Sequence, residues 1–330
     1  MFTENQDDLR GLLFIGDPHV SSKKIGRRKD DYLASVLGKL QACAEICNEH
    51  HLVPVILGDL FHRNDDSNLV MLNRLTRVLQ SFETVPLVLE GNHDKEQTEA
   101  SDSDALTLFA QTGVVRVLSQ SGQSQVFNFQ GTAVRLLAFP YGSSFPRMVG
   151  HFEGTTWAIS HHDLAFGSAY PGSSALQEIA GCDAVVNGHM HDTKKSVQMG
   201  ATWWHNPGNI EPLSVDLAGH VPMAWKWVPG QPVDRLEGLA LPHGTDLFDL
   251  TGLQVQAAEG AEIVEAYAPA ASEFAQLLST QSALDASRTD DATILLEDLN
   301  EVLEIAGVSE SSKQLMQALA AELVIEATLA

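Results

Sequence analysis

Five short apolar runs within the first 190 residues each end, a few positions on, in histidine, aspartate or asparagine. Leu13-Phe14-Ile15 leads to Gly16-Asp17-Pro18-His19, and Val55-Ile56-Leu57 leads to Gly58-Asp59-Leu60-Phe61-His62. Leu87-Val88-Leu89 leads, through Glu90, to Gly91-Asn92-His93-Asp94. Ala158-Ile159-Ser160 leads to His161-His162, and Val185-Val186-Asn187 to Gly188-His189-Met190-His191. A lone histidine at such a position is more often a solvated or satisfied side chain than a ligand. Five clusters in order, each following a run suited to burial, are not what core packing produces.

The spacing of the runs sets the fold. Leu12–Ile15, Pro54–Leu57, Pro86–Leu89, Arg135–Phe139, Trp157–Ser160 and Ala184–Val186 read as buried strands. Leu33, Val36, Leu37, Leu40, Ala44 and Cys47 recur at helical spacing between the first two, and Leu69, Leu72, Leu75, Leu79 and Phe82 do so after the second. Strand alternating with helix implies βαβ units and a largely parallel sheet. Ligands then gather at the C-terminal ends of the strands. Trp203-Trp204-His205-Asn206-Pro207-Gly208 reads as a turn packed under these ends, with His205 and His62 as outer partners of the site. Proline and glycine punctuate residues 228–252, around a short expected strand at Leu247–Leu253. The chain is therefore expected to divide into a catalytic domain, 1–235, and a mostly helical region, 236–330. Helical patterns cover Phe274–Leu278, Ile294–Ile305 and Leu315–Val324.

Composition narrows the setting. No apolar run approaches the roughly 20 residues that span a bilayer. The first ten residues are polar and acidic, so a cytoplasmic protein is expected. Cys43, Cys47 and Cys182 make no even disulfide framework and read as buried thiols. Of the net charge of −23, residues 236–330 carry −15, from 17 acidic and 2 basic side chains. That region is a poor match for nucleic acid and better suited to a protein surface.

Carboxylate, imidazole and amide oxygen together suit divalent Mn²⁺, Zn²⁺ or Fe, and no thiol joins them to suggest a structural zinc cage. Two such ions, roughly 3.5–4 Å apart and sharing a carboxylate, clamp both ends of an in-line phosphoryl displacement. Basic side chains flank the clusters. Lys23, Lys24, Arg27, Arg28 and Lys29 follow the Asp17/His19 loop, and Lys194 and Lys195 follow His189/His191. A polyanionic backbone passing the metals would meet both groups.

The motifs D-x-H, G-D-x-x, G-N-H-D, H and G-H-x-H, over about residues 11 to 215, resemble those of the calcineurin-like metallophosphoesterase superfamily. The resemblance implies a four-layer α/β/β/α sandwich, extended at its C-terminus, with two divalent ions. Asp17, His19 and His191 would bind the first, Asn92, His161 and His189 the second, and Asp59 both. His161 is chosen over His162 as the first histidine off its strand, although a one-residue slip would exchange them. A metal-activated hydroxide would attack phosphorus, with His93 as general acid and Asp94 fixing the tautomer of His93 through a hydrogen bond.

Within the superfamily, Gly58-Asp59-Leu60-Phe61-His62 lacks the protein-phosphatase form and resembles the nuclease subunits of the SbcCD type. Arg28-Lys29-Asp30-Asp31-Tyr32, Phe139-Pro140-Tyr141 and Gly208-Asn209 are similar to the same group. This second resemblance implies a manganese-dependent DNA exonuclease or endonuclease of repair and recombination. Lys23, Lys24, Arg27, Arg28 and Lys194 would then hold DNA, an SbcC-type ATPase would dock on the tail, and a homodimer would form. A phosphodiesterase or nucleotidase acting on a small nucleotide is the alternative, favoured by the acidic overall charge. A scaffold without catalysis is disfavoured, because every expected position is filled.

Overall fold

The fold was obtained as a computed structural model, in which residues 8–96, 101–167, 169–170 and 172–251 are described. The chain opens with β1 (Gly11–Ile15), α1 (Tyr32–His50), β2 (Leu52–Ile56), α2 (Leu69–Leu79), β3 (Leu87–Leu89), α3 (Ala105–Gln111) and β4 (Arg116–Leu118). β1 to β4 pair in parallel in that order. A second group follows: β5 (Gln123–Phe129), β6 (Thr132–Phe139), β7 (Thr155–Ser160), β8 (Ala184–Asn187), β9 (Lys194–Met199) and β10 (Thr202–Asn206). β11 (Met223–Trp227) then returns antiparallel along the free edge of β1, and β12 (Glu237–Ala240) pairs antiparallel with β11.

The result is two mixed six-stranded sheets, ordered β12-β11-β1-β2-β3-β4 and β5-β6-β7-β8-β10-β9. Two stacked sheets are what the resemblance implies, whereas the largely parallel pairing expected from the strand–helix rhythm is corrected to a mixed one. Each sheet has four consecutive parallel strands. In the first, β1 to β4 reach one edge and β11 and β12 extend the other in antiparallel pairs. In the second, antiparallel β5 and β9 close both edges. Alternation along the strands explains the layers. Leu13 and Ile15 of β1 face the helices, whereas Leu12 and Phe14 face the second sheet, where they meet Leu136, Trp157 and Val186. Strands buried on both sides read as unbroken apolar runs.

α1 is capped by Asp31, whose carboxylate accepts from Ala34 N–H at 3.0 Å, and α2 by Asn68, which accepts from Val70 and Met71. The outer face of the second sheet is covered differently. Leu137, Ala158, Val185 and Trp204 pack under Phe145, Val149, Phe166 and Leu176 from the 140–181 segment, in which no described residue is helical. Among the described residues, the outer layer expected to be helical is a layer of loops.

The sheet also runs past the expected boundary at residue 235, since β12 belongs to it and a first compact unit extends to Asp249. The strand expected at Leu247 is a single bridge, Phe248 to Arg28. The described part of 236–330 carries a strand and no helix, and the three C-terminal helical patterns fall outside the described residues. Trp203–Asn206, expected as a turn, is β10, buried between β8 and β9. No helix among the described residues is long and apolar enough to cross a membrane. All three cysteines are free and buried.

One expected DNA contact is structural. Arg28 is fully buried and makes two bonds to Asp30, at 2.8 and 2.6 Å, with an ion pair to Glu211 and a bond to the Pro212 carbonyl at 2.7 Å. Lys39, also buried, reaches the other Glu211 oxygen at 2.8 Å. Two buried cations are thus balanced by buried Glu211 and by Asp30 at the edge of the surface. They tie α1 and the loop after β1 to the 209–213 loop. Breaking a buried pair from one side typically costs about 3–5 kcal/mol, because the orphaned charge stays buried. Arg28→Ala is expected to lower Tm by about 6–20 °C in thermal unfolding, given that cost in a domain of this size; an unchanged Tm would contradict the structural role.

Candidate metal centre

The C-terminal ends of β1, β2 and β3 and of β7 and β8 meet at one edge of the sandwich, and each contributes a loop. The backbone there is contorted. His19, Asp59 and His189 have φ of 47°, 46° and 68°, a region that costs a residue with a side chain about 1–3 kcal/mol. Gly58 adopts φ 113°, and a Cβ there would lie 2.2 Å from the His161 ring; at Gly91 it would lie 2.2 Å from the Asp59 carboxylate. The chain is threaded so that polar side chains converge.

They form two groups that share Asp59. Asp17, His19, Asp59 and His191 bring one ligand atom each to within 4.8 Å of one another, as do Asp59, His161 and His189. His19 Nε2 lies 3.0 Å from His191 Nε2 and 3.5 Å from Asp59 Oδ2. His161 Nε2 lies 3.2 Å from that same oxygen and 3.1 Å from Asn92 Oδ1. His189 Nδ1 approaches Asn92 Oδ1 at 2.9 Å.

Hydrogen bonds at the far side of each ring show what such a cluster can hold. His161 Nδ1–H donates to the Leu57 carbonyl at 2.8 Å, which turns Nε2 toward two oxygens, where an ion would take the place of its proton. His189 Nε2–H donates to Asp163 Oδ2 at 3.1 Å, which leaves Nδ1 bare toward Asn92. Lone pairs that converge need a cation between them. Asp17 Oδ1 and His19 Nδ1 are, in addition, buried without a hydrogen-bond partner. The donor set is oxygen and imidazole throughout, which fits divalent ions.

The electrostatics agree. Burial opposes ionisation of Asp59, yet His161, His19 and His93 hold its carboxyl well below the usual range. Burial pushes Asp17 up to about 7. Burial would lower His161, but Asp59 and Asp17 outweigh it and raise the imidazole to about 10. Burial lowers His19 strongly, His189 as well, and His191 to about 4, so these rings are neutral as ligands must be.

The profile of the calcineurin-like phosphoesterase family matches residues 11–193, more than half of the chain. The chain belongs to this family. No curated protein matches its sequence. Among solved structures, it is similar to a 5'-nucleotidase precursor from Thermus thermophilus, at 11% identity and a TM-score of 0.43, over 70% of this chain and 54% of that one. It is also similar to a hypothetical protein from the same organism, at 12% identity and a TM-score of 0.39, over 70% of this chain and 99% of that one. The chain thus spans about half the length of the nucleotidase precursor.

The phosphoesterase centre brings Asp17, His19, Asp59, Asn92, His161, His189 and His191 together, with His93 beside them at 4.9 Å from His19 between ring centres. His162 points away and meets the Ser143 carbonyl at 2.7 Å. Asp94 does not touch His93. Its two oxygens accept from Phe61 N–H at 3.1 Å and Gly91 N–H at 3.0 Å, and burial raises it to about 7. The expected Asp94–His93 bond is replaced by His93 Nδ1 on the His62 carbonyl at 2.8 Å. Asp94 shapes the loop, and a backbone carbonyl sets the tautomer.

His205 is an outer element, held between Ser196 Oγ and the Val233 carbonyl. Asn206 supports the His189/His191 loop by donating to the Met190 and Asp192 carbonyls at 2.7 and 2.9 Å. Of the basic residues, Lys23, Lys24 and Arg27 are exposed, whereas Arg28 is buried and Lys194 pairs with Asp192. Asp163, which touches His189, and Arg63, which pairs with Asp65 just after His62, are absent from the set expected on sequence. Arg63 lines an open cleft of about 330 Å³ together with Lys23, and its only advance signal is its place directly after His62.

His161, ordinarily near 6.5 and here about 10, keeps a proton through neutral pH that an ion must displace. Metal affinity is therefore expected to rise by about tenfold per pH unit between pH 7.5 and 9 and to level off above 10. Titration calorimetry of Mn²⁺ in buffers of different ionisation enthalpy reads the released proton directly. A pH-independent affinity over that range would contradict the assigned ligand set.

Proposed function

We propose that this phosphoesterase is a DNA nuclease of the SbcCD type, using two divalent ions, manganese in the first instance, and His93 as general acid. The observation that carries the reading is the setting of His93. Its Nδ1–H donates to the His62 carbonyl at 2.8 Å, its main-chain N–H to Asp59 Oδ1 at 2.8 Å, and its ring stacks on that of His62. One ring nitrogen is thereby committed, and Nε2 is left to carry a proton to a leaving oxygen. The carbonyl that orients it belongs to the G-D-L-F-H stretch on which the resemblance to the nucleases rests.

Asp17, His19 and His191 would hold one ion, Asn92, His161 and His189 the other, and Asp59 both. When bound, the ions supply Lewis acidity at phosphorus and a water of lowered pKa as nucleophile; iron or zinc fits the same donors. The neutral imidazoles keep their lone pairs available, and the contorted loops keep them converged. Lys23 lines the cleft together with Arg63, which pairs with Asp65, and Lys23 and the exposed Lys24 and Arg27 would track a DNA backbone. The acidic region from residue 236 would bind an SbcC-type ATPase rather than DNA, and the assembly would be a homodimer of such subunits.

A second reading, a small-nucleotide phosphodiesterase, is favoured by the burial of Arg28 and the pairing of Lys194, which remove two of the five basic side chains expected to hold DNA. End-labelled double- and single-stranded DNA with Mn²⁺, with and without the ATPase, separates the two. Under the nuclease reading the wild type cuts DNA, the ATPase enhances cleavage of long duplexes, and Lys23→Glu/Lys24→Glu weakens it. His93→Ala keeps its metals and loses about 10²–10⁴-fold in rate. Hydrolysis of simple nucleotides with no cleavage of DNA would move the assignment to the second reading.

A further inference from the structure

The two histidines assigned to the second ion are held by different kinds of partner. His161 is fully buried, and its outer nitrogen rests on a main-chain carbonyl, that of Leu57. His189 rests on a carboxylate, Asp163, whose side chain is 45% exposed. The other Asp163 oxygen accepts from the Tyr170 hydroxyl at 2.7 Å. Tyr170–Asp163–His189 is therefore a hydrogen-bonded chain that runs from the surface to the centre.

The loop that carries the chain is built to hold it. Ser174 N–H donates to the Asp163 carbonyl at 2.8 Å, and Ala165 N–H returns to the Ser174 carbonyl at 2.9 Å. Leu164 is fully buried, and its N–H meets Met190 Sδ at 3.4 Å, one residue beyond His189. Tyr170 is fixed by a turn in which its N–H donates to Ser173 Oγ, and Ser173 O–H returns to the Tyr170 carbonyl. By contrast, His19 of the first ion has no partner at Nδ1 at all.

We propose that Asp163, steadied by Tyr170, is the positioning residue that makes His189 a ligand, so that the affinity of the second ion is set from the 163–174 loop. The carboxylate fixes the proton of His189 on Nε2, turns the bare Nδ1 toward Asn92 Oδ1 at 2.9 Å, and adds negative charge that makes the imidazole a stronger donor. Outer carboxylates of this kind are typically worth about 10–100-fold in metal affinity. The first ion, which Asp163 does not reach through any ligand, is unaffected. The proposal rests on the dinuclear reading of the centre.

The test is Mn²⁺ binding to the full chain, followed by calorimetry and by the exchange-coupled signal of a manganese pair in electron paramagnetic resonance. Wild type is expected to bind two ions and show the coupled signal. Asp163→Ala is expected to lose about 10–100-fold in affinity for one ion only, and to show uncoupled manganese at concentrations that saturate the wild type. Asp163→Asn, which keeps an acceptor oxygen, recovers part of the loss, and Tyr170→Phe shifts affinity in the same direction by less. A merely structural loop would lower Tm and weaken both ions together, which overturns the proposal. So does an Asp163→Ala variant that binds two ions as tightly as wild type. Wild type that binds fewer than two ions overturns the dinuclear reading itself, and is recognised before any variant is compared.

Discussion

Asp59 stands at the junction of the two ligand groups, and its position is a matter of backbone before it is one of charge. The residue sits in the left-handed region, φ 46°, directly after Gly58 at φ 113°. Its carboxylate fills the space that a side chain on Gly91 would occupy. One oxygen accepts the main-chain N–H of His93, and the other lies between His19 and His161. A single side chain thus fixes His93 and both halves of the centre relative to one another. Strain of this kind persists only where the surroundings over-determine it.

Those surroundings are the two sheets. Each ligand group draws side chains from both sheets, from the ends of β1, β2 and β3 on one and of β7 and β8 on the other, so any slide between the sheets would pull each group apart. The layer between them is closely packed: Phe14 meets Trp157 at 5.4 Å between ring centres, and Trp157 meets Trp227 at 5.1 Å. At the strand ends Asn187 accepts from Ser160 Oγ at 2.7 Å and His162 N–H at 3.1 Å, and donates to the His162 carbonyl and to Asn206. Close packing resists gradual deformation, and a saturated buried amide holds the loops in one arrangement.

The parts legible in the sequence are those with strong local signals. Strands buried on both faces leave continuous apolar runs, and the ligands follow them directly. β5 and β9 leave no such mark, because their alternating exposure produces polar runs such as Lys194-Lys195-Ser196 that read as loop. β10 reads as a turn because Asn206-Pro207-Gly208 lies at its end. Arg28 sits in a basic run whose other members are exposed, and only Glu211, 183 residues away, distinguishes it. Asp163 is hidden in the same way, for its partner His189 lies 26 residues on, across the sheet edge. Pairings at such distances leave no periodic trace.

Asp59 stands where one carboxylate would hold two ions with different companions. Anomalous scattering from crystals soaked in Mn²⁺ tests it most directly. Two peaks are expected to flank the Asp59 carboxylate, one among Asp17, His19 and His191, the other among Asn92, His161 and His189. A single peak, or density centred instead on His19, His62 and His93, whose ring nitrogens also converge, would contradict it.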